Sequence, residues 1–136
     1  MRALLGAGLL FSGLAFADSP ADRTAIENVI HSLRTAEPVS ALFTADADSD
    51  LPKLQQLERS LNNAVHTPWS EVGPPVLLVD SVRFISADVA LVNASETQIG
   101  PAARRYPVLF VMKKESSGWK IASLRLLGSG FASVVV

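Results

Sequence analysis

An α+β domain, helices first and an antiparallel sheet of four or more strands afterwards, is the fold class this sequence predicts. Two observations carry that expectation. Apolar residues recur at helical spacing up to about residue 62 and at strand spacing from Pro74-Pro75 onward. A chain of 136 residues, 49% apolar and 18% charged, also has the composition of one ordinary packed domain. Such an order of elements requires the helices to bury their apolar stripes against one face of the sheet.

The elements follow in order. Met1-Arg2, the apolar stretch Ala3 to Phe16 and the small residues around Ala15-Phe16-Ala17 have the charged, apolar and small-residue parts of a secretory signal. Residues 1–17 are therefore expected to be cleaved, leaving an exported domain of residues 18–136. The run falls short of the roughly 20 residues a bilayer span needs and contains Gly6, Gly8, Ser12 and Gly13, so no membrane span is expected after cleavage. Ser19-Pro20-Ala21-Asp22 reads as a helix start, with Ser19 capping, Pro20 in the first position and Asp22 returning to the cap. Ile26, Val29, Ile30 and Leu33 form the stripe of a helix from about 20 to 35, whose wet face carries Arg23, Glu27, Asn28, His31 and Arg34. Pro38 opens a second, short helical piece in which Val39, Leu42 and Phe43 pack, ending at Asp46 to Asp50. Leu51, Leu54, Leu57 and Leu61 mark a third helix, with Pro52 tolerated in its first turn and Asp50 as its cap. Residues 76–85, 89–99, 106–114 and 119–127 then read as four strands, joined by two short turns and the longer Gly100 to Ala103 connection. The tail from Phe131 to Val136 reads equally as a fifth strand or a frayed end.

Composition excludes several functions. The formal net charge is −1, loss of Arg2 makes it more negative, and the basic pairs Arg104-Arg105 and Lys113-Lys114 are short and separated. A nucleic-acid surface needs clustered cations, so no nucleic-acid partner is expected. There is no cysteine, hence no disulfide, thiolate metal site or cysteine nucleophile. Asp46, Asp48 and Asp50 have the alternation that opens a calcium loop, but Leu51 and Leu57 stand where the turn glycine and the bidentate Glu belong. With His31 and His66 as the only histidines and no G-x-S-x-G elbow, neither a metal, another cofactor nor a serine nucleophile is expected. Asn93-Ala94-Ser95 fits a glycosylation sequon but lies inside a strand.

The capped helix, the Ala41 to Asp48 stretch with its L-F-x-x-D-A-D pattern, a further helix, and a meander closing on Gly118-Trp119-Lys120-Ile121-Ala122 resemble the nuclear transport factor 2-like superfamily. The resemblance spans the mature chain and rests mainly on the order of elements. It implies a curved antiparallel sheet wrapped over a helix, a cone whose open end holds a ligand, and dimers formed through the outer sheet face. SnoaL-like members often carry histidines on the last strand; the matching positions here are Ser123 and Arg125. A hydroxyl is too weak a base and Arg keeps its proton, so that proton-transfer route is not expected.

Simple alternation places Trp119, Ile121, Ser123 and Arg125 on one face, setting a fixed guanidinium donor beside an apolar wall. Tyr106, Asn93 and Trp69 complete the candidate ligand site. A ketosteroid-isomerase-like alternative needs a carboxylate beside a hydroxyl donor in an apolar cavity, for which Glu96 and Tyr106 are the pair. The expectation drawn from these residues is an exported domain that binds a small molecule, or a second copy of itself, without chemistry. An isomerase or cyclase acting on a polar aromatic or steroid-like molecule is the alternative.

Overall fold

The computed structural model describes residues 19–65, 73–98, 100 and 104–127. The N-terminal segment expected to be a signal, Trp69, His66 and the tail from 128 lie outside the described residues. Helix α1 runs Pro20–His31 and tightens into a 3-10 turn, Ser32–Arg34; a second 3-10 turn spans Val39–Leu42. Strand β1 (Phe43–Ser49), helix α2 (Leu51–Val65) and strands β2 (Pro75–Phe84), β3 (Val89–Gln98), β4 (Arg105–Glu115) and β5 (Gly118–Leu126) follow. Among the described residues no helix is long and apolar enough to cross a membrane.

The caps form only in part as the sequence suggests. Ser19 Oγ accepts from the Asp22 N–H at 3.2 Å, and Pro20 occupies the first turn. The Asp22 carboxylate meets the Ser19 side chain and also reaches Trp119 of β5. Asp50 stands just before α2, its carbonyl accepting from the Leu54 N–H at 3.0 Å. Its Oδ2 accepts from the Leu126 N–H at 3.1 Å, tying the start of α2 to the end of β5.

The sheet order is β1-β5-β4-β3-β2, antiparallel throughout except that β1 lies parallel to β5. That edge corrects the sequence reading: the 43–49 segment expected to finish a helical piece is a fifth strand, so the sheet is mixed. Phe-Thr-Ala-Asp-Ala-Asp-Ser has low strand propensity, but β5 offers an open edge and Thr44 is buried on joining it. The β4–β5 hairpin closes on Gly118, whose φ of +124° is strained for any residue with a side chain.

Besides an irregular stretch of β1 between Phe43 and Asp48, one residue is skipped in β2 and one in β5. Val79 opposes Ala94 and Ser81 opposes Asn93, leaving Asp80 as a bulge in β2. Met112 opposes Ile121 and Val111 opposes Ser123, leaving Ala122 as a bulge in β5. Each bulge bends its strand and inverts the alternation beyond it, which curves the sheet around the helices.

The hollow face presents Ala90, Val92 and Ala94 from β3, Val108, Phe110 and Met112 from β4, and Trp119, Ile121 and Leu124 from β5. Ile26, Ile30 and Leu33 cover it from the first helix and Leu54 from α2. This is the predicted stripe in the predicted place. Fully burying each such Ile, Leu or Phe contributes roughly 1.5–3 kcal/mol before chain entropy is counted, so the helix–sheet layer is the main source of stability in a chain without disulfides.

Candidate functional site

Of the six residues singled out from the sequence, Trp69 lies outside the described residues, and the other five do not converge. Ser123 and Arg125 sit beyond the Ala122 bulge, so they emerge on the outer face while Leu124 takes the buried position between them. Arg125 is paired there with Asp48 of β1 and lies 3.5 Å from Asp50 Oδ1. Unbroken alternation, assumed from sequence, fails because one extra residue inverts every side chain after it. Asn93 is also on the outer face, donating to Ser81 Oγ at 3.3 Å. Trp119 is buried on the hollow face, where its indole N–H donates to Asp22 Oδ1 at 3.0 Å and its ring meets Phe84 edge-on at 6.0 Å. Lys114 reaches the same carboxylate at 3.1 Å and lies 6.0 Å from the Trp119 ring centre. The indole bond, and then the Lys114 charge, hold the Asp22 carboxyl below its ordinary range. This cluster pins the start of α1 to the sheet.

Tyr106 is buried on the hollow face at the other end of β4. From Lys114, the cross-strand partner of Trp119, to Tyr106 is eight steps of strand, roughly 27 Å. Tyr106 stands directly opposite Glu96 in the β3–β4 pairing, the neighbour relation that the enzyme alternative requires. No hydrogen bond joins the two side chains among the described residues.

The polar centre of the hollow face is instead Glu96 with Arg34 and Glu58. Strand β3 places Glu96 in phase with Ala90, Val92 and Ala94, at 0% exposure. The 3-10 turn that ends the first helical segment swings Arg34 across the sheet edge. Its Nε donates to Glu58 Oε2 at 3.1 Å and its Nη1 to the Pro75 carbonyl at 3.0 Å. Its Nη2 donates at 2.8 Å to both Glu58 Oε2 and Glu96 Oε2. One guanidinium thus ties together the 3-10 turn, α2, β2 and β3, a geometry suited to arginine's planar fork. Glu96 Oε1 is buried without a hydrogen-bond partner. Burial above all, and then the nearby Glu58 charge, push the Glu96 pKa up to about 8 against the opposing pull of Arg34. At neutral pH Glu96 therefore keeps its proton.

A cavity of about 350 Å³ opens beside this cluster. Ile30, Leu33, Leu51, Leu54, Val76 and Leu77 are its apolar wall; His31, Arg34, Gln55 and Glu58 are its polar groups. Leu77 opposes Glu96 across the β2–β3 pairing, and Glu96 itself is fully buried and does not line the cavity. A second, shallower recess of about 470 Å³ runs along β1 beside Val39, Phe43 and Pro52 and holds no charged side chain. The aspartates of the calcium-like alternation are taken up by other partners: Asp46 accepts from Thr44 at 3.0 Å, Asp48 and Asp50 both meet Arg125, and Asp50 also accepts from the β5 backbone.

Sequence reasoning set Arg34 on a wet helix face and saw in Glu96 only a partner for Tyr106. The signal for their pairing was present: an acid in phase with three apolar β3 residues has to meet a cation when it is buried. Which cation it meets depends on the turn after α1, which periodicity does not specify.

Solved structures of similar backbone bear on the fold. A domain of unknown function with a cystatin-like fold from Nostoc punctiforme superposes over 86% of this chain and 85% of its own, with a TM-score of 0.52 and 22% identity. The fold is cystatin-like. Two further solved structures align less closely: an NTF2-like protein of unknown function from Methylobacillus flagellatus, at TM-score 0.49 and 18% identity over 78% of this chain and 90% of that one; and a ketosteroid isomerase-like protein from Erwinia carotovora, at 0.45 and 21% over 76% and 89%. No protein-family model matches the sequence, and no curated protein is detectably similar to it. In this cystatin-like domain the helices lie in the hollow of one curved sheet, the architecture that the resemblance drawn from sequence implies.

Proposed function

We propose that this chain is an exported domain that binds a small molecule in the cavity between its helices and β2, without chemistry, and that it pairs with a second copy through the outer face of its sheet. The observation that carries the binding reading is the cavity itself. About 350 Å³ falls in the size range of small-ligand sites, and apolar walls closing on a few fixed polar groups are the usual composition of such sites. Export rests on the N-terminal segment and its small-residue cut point.

The test is a ligand screen by protein-observed NMR on the exported protein, with Gln55→Trp as control. Gln55 is exposed and borders the cavity, so the indole fills the space while the core stays intact. Hits that shift resonances of Leu54, Val76 and Leu77 and vanish in Gln55→Trp support the reading; hits that ignore the substitution place the ligand elsewhere and remove it.

The isomerase or cyclase reading draws on a different observation, the proton-holding Glu96 opposite Tyr106 on an apolar face. It requires turnover that falls by orders of magnitude in both Glu96→Gln and Tyr106→Phe. Turnover that survives Tyr106→Phe unchanged discards it.

A further inference from the structure

Strand β1 is only partly satisfied by the sheet it joins. Its register with β5 holds at Phe43, Asp48 and Ser49, while Thr44 to Ala47 have no partner on β5 among the described residues. In the order β1-β5-β4-β3-β2 nothing described lies beyond β1, so this edge presents backbone N–H and C=O groups that a further strand would pair. The recess of about 470 Å³ lies along the same edge. Phe43, Ala45, Ala47 and Ser49 alternate into it, Val39 and Pro52 stand beside them, and the small side chains in the middle of the row leave room for those of a neighbouring strand.

The sequence carries a segment of matching chemistry within reach. Ser49 pairs with Leu124, and the Leu126 N–H donates to Asp50 Oδ2 at 3.1 Å, so β5 ends beside the end of β1. Gly128-Ser129-Gly130 follows, and then Phe-Ala-Ser-Val-Val-Val at 131–136, uncharged, free of Gly and Pro and rich in β-branched valine. Reach selects the edge. The free side of β1 is two strand spacings from β5, about 10 Å, and the four steps from Leu127 to Phe131 span at most roughly 14 Å. The free side of β2 is four spacings away, about 19 Å, beyond that span. Extended, residues 131–136 cover about 20 Å, close to the length of the seven-residue β1.

We infer that residues 131–136 add to the sheet as a sixth strand, antiparallel to β1 and seated over the recess beside Val39, Phe43 and Pro52. The direction follows from β1 lying parallel to β5: a chain that turns back after β5 runs against both. The glycines at 128 and 130 allow the tight reversal. A tether this short gives the chain's own segment an effective concentration on the order of millimolar, so it meets the edge ahead of a second copy. Pairing also removes two aggregation hazards at once, an uncharged strand-forming segment and an open sheet edge.

The absence of native cysteine makes disulfide trapping in the full chain a clean test. Ala45→Cys and Ala47→Cys, both outside the buried core, are each combined with a single cysteine at every position of 131–136 in turn and oxidised at low protein concentration. The expected result is a disulfide within one chain, favoured at alternate positions of the segment, with the best partner of Ala47→Cys about two residues nearer Phe131 than that of Ala45→Cys. A shift toward Val136 would mean a parallel strand and overturns the inference. So do disulfides that form between chains, which give the edge to a second copy, and crosslinking that is absent or equal at all six positions. Hydrogen exchange supplies a second readout. Val134→Pro removes one donor from the segment and should speed exchange of at least one amide between Thr44 and Ala47 by about tenfold; rates there that match wild type also overturn it.

Discussion

Glu96 is the residue on which the molecule is most sensitively balanced. Its acid is neutral in the folded protein up to a pKa of about 8, against an ordinary value of 4.5. The folded state therefore binds more protons than the unfolded chain between those values, and by linkage its stability is full at low pH and declines as pH rises through that window. One proton corresponds to a slope on the order of 1.4 kcal/mol per pH unit. Urea unfolding from pH 5 to 8 should show that decline in wild type and a markedly flatter profile in Glu96→Gln. Asp22 works in the opposite sense. Its carboxyl is held below the ordinary range by Trp119 and Lys114, so its contribution is present above about pH 4 and disappears on acidification. Asp22→Ala, which leaves the buried indole N–H without an acceptor, should cost about 1–3 kcal/mol, and Asp22→Asn, which keeps an oxygen there, should cost less; denaturant midpoints distinguish them. Of the candidate site, the sequence made legible the residue types and one relation, Glu96 near Tyr106. It hid Arg34, because three polar contacts 24, 41 and 62 positions away depend on a turn that no periodicity encodes.

At the scale of elements, the Ala122 bulge decides what β5 shows to the core. Leu124 is fully buried and Arg125 is exposed beside Asp48. Leu124→Ala should therefore cost about 2–5 kcal/mol, whereas Arg125→Ala, which removes a solvent-exposed pair, should cost no more than about 1 kcal/mol. Thermal denaturation of the two variants checks the order, and the opposite order would restore unbroken alternation along β5. The helices and β2 to β5 were readable from sequence because each carries a full period of apolar residues: Ile26 to Leu33 at helical spacing, and Ala90 to Ala94 or Val108 to Met112 at strand spacing. Strand β1 was not. Its Thr, Ala, Asp and Ser carry no period, and it is a strand only because β5 provides an edge 78 positions later, where Phe43 meets Ile121. The bulges were unreadable for a related reason: one surplus residue leaves no mark on composition and appears only when the partner strand fixes the register.

For the whole molecule, the open question is what becomes of the face turned away from the helices. Leu91 and Val111 are cross-strand partners on that face, and Leu109 stands beside Asn93 and Arg125 in the next row. Leu78 adds an exposed edge on β2, at 44% exposure. Five strands at about 4.8 Å spacing and some 30 Å long present roughly 700 Å², close to the ~800 Å² per partner of a stable protein interface. The rim is suitably polar, with Asp80, Ser95 and Arg105 hydrogen-bonded to one another on one side and Arg125 with Asp48 on the other. A two-fold pairing of such faces is self-complementary and closes on itself without leaving a sticky edge. Sedimentation velocity of the protein over a wide concentration range should resolve a dimer. Leu109→Lys should convert it to monomer with little loss of thermal stability, since that side chain supports no helix contact. A wild type that sediments as a monomer at the highest concentrations would leave this apolar face without a partner and remove self-association from the function proposed here, while the cavity on the opposite face would be untouched.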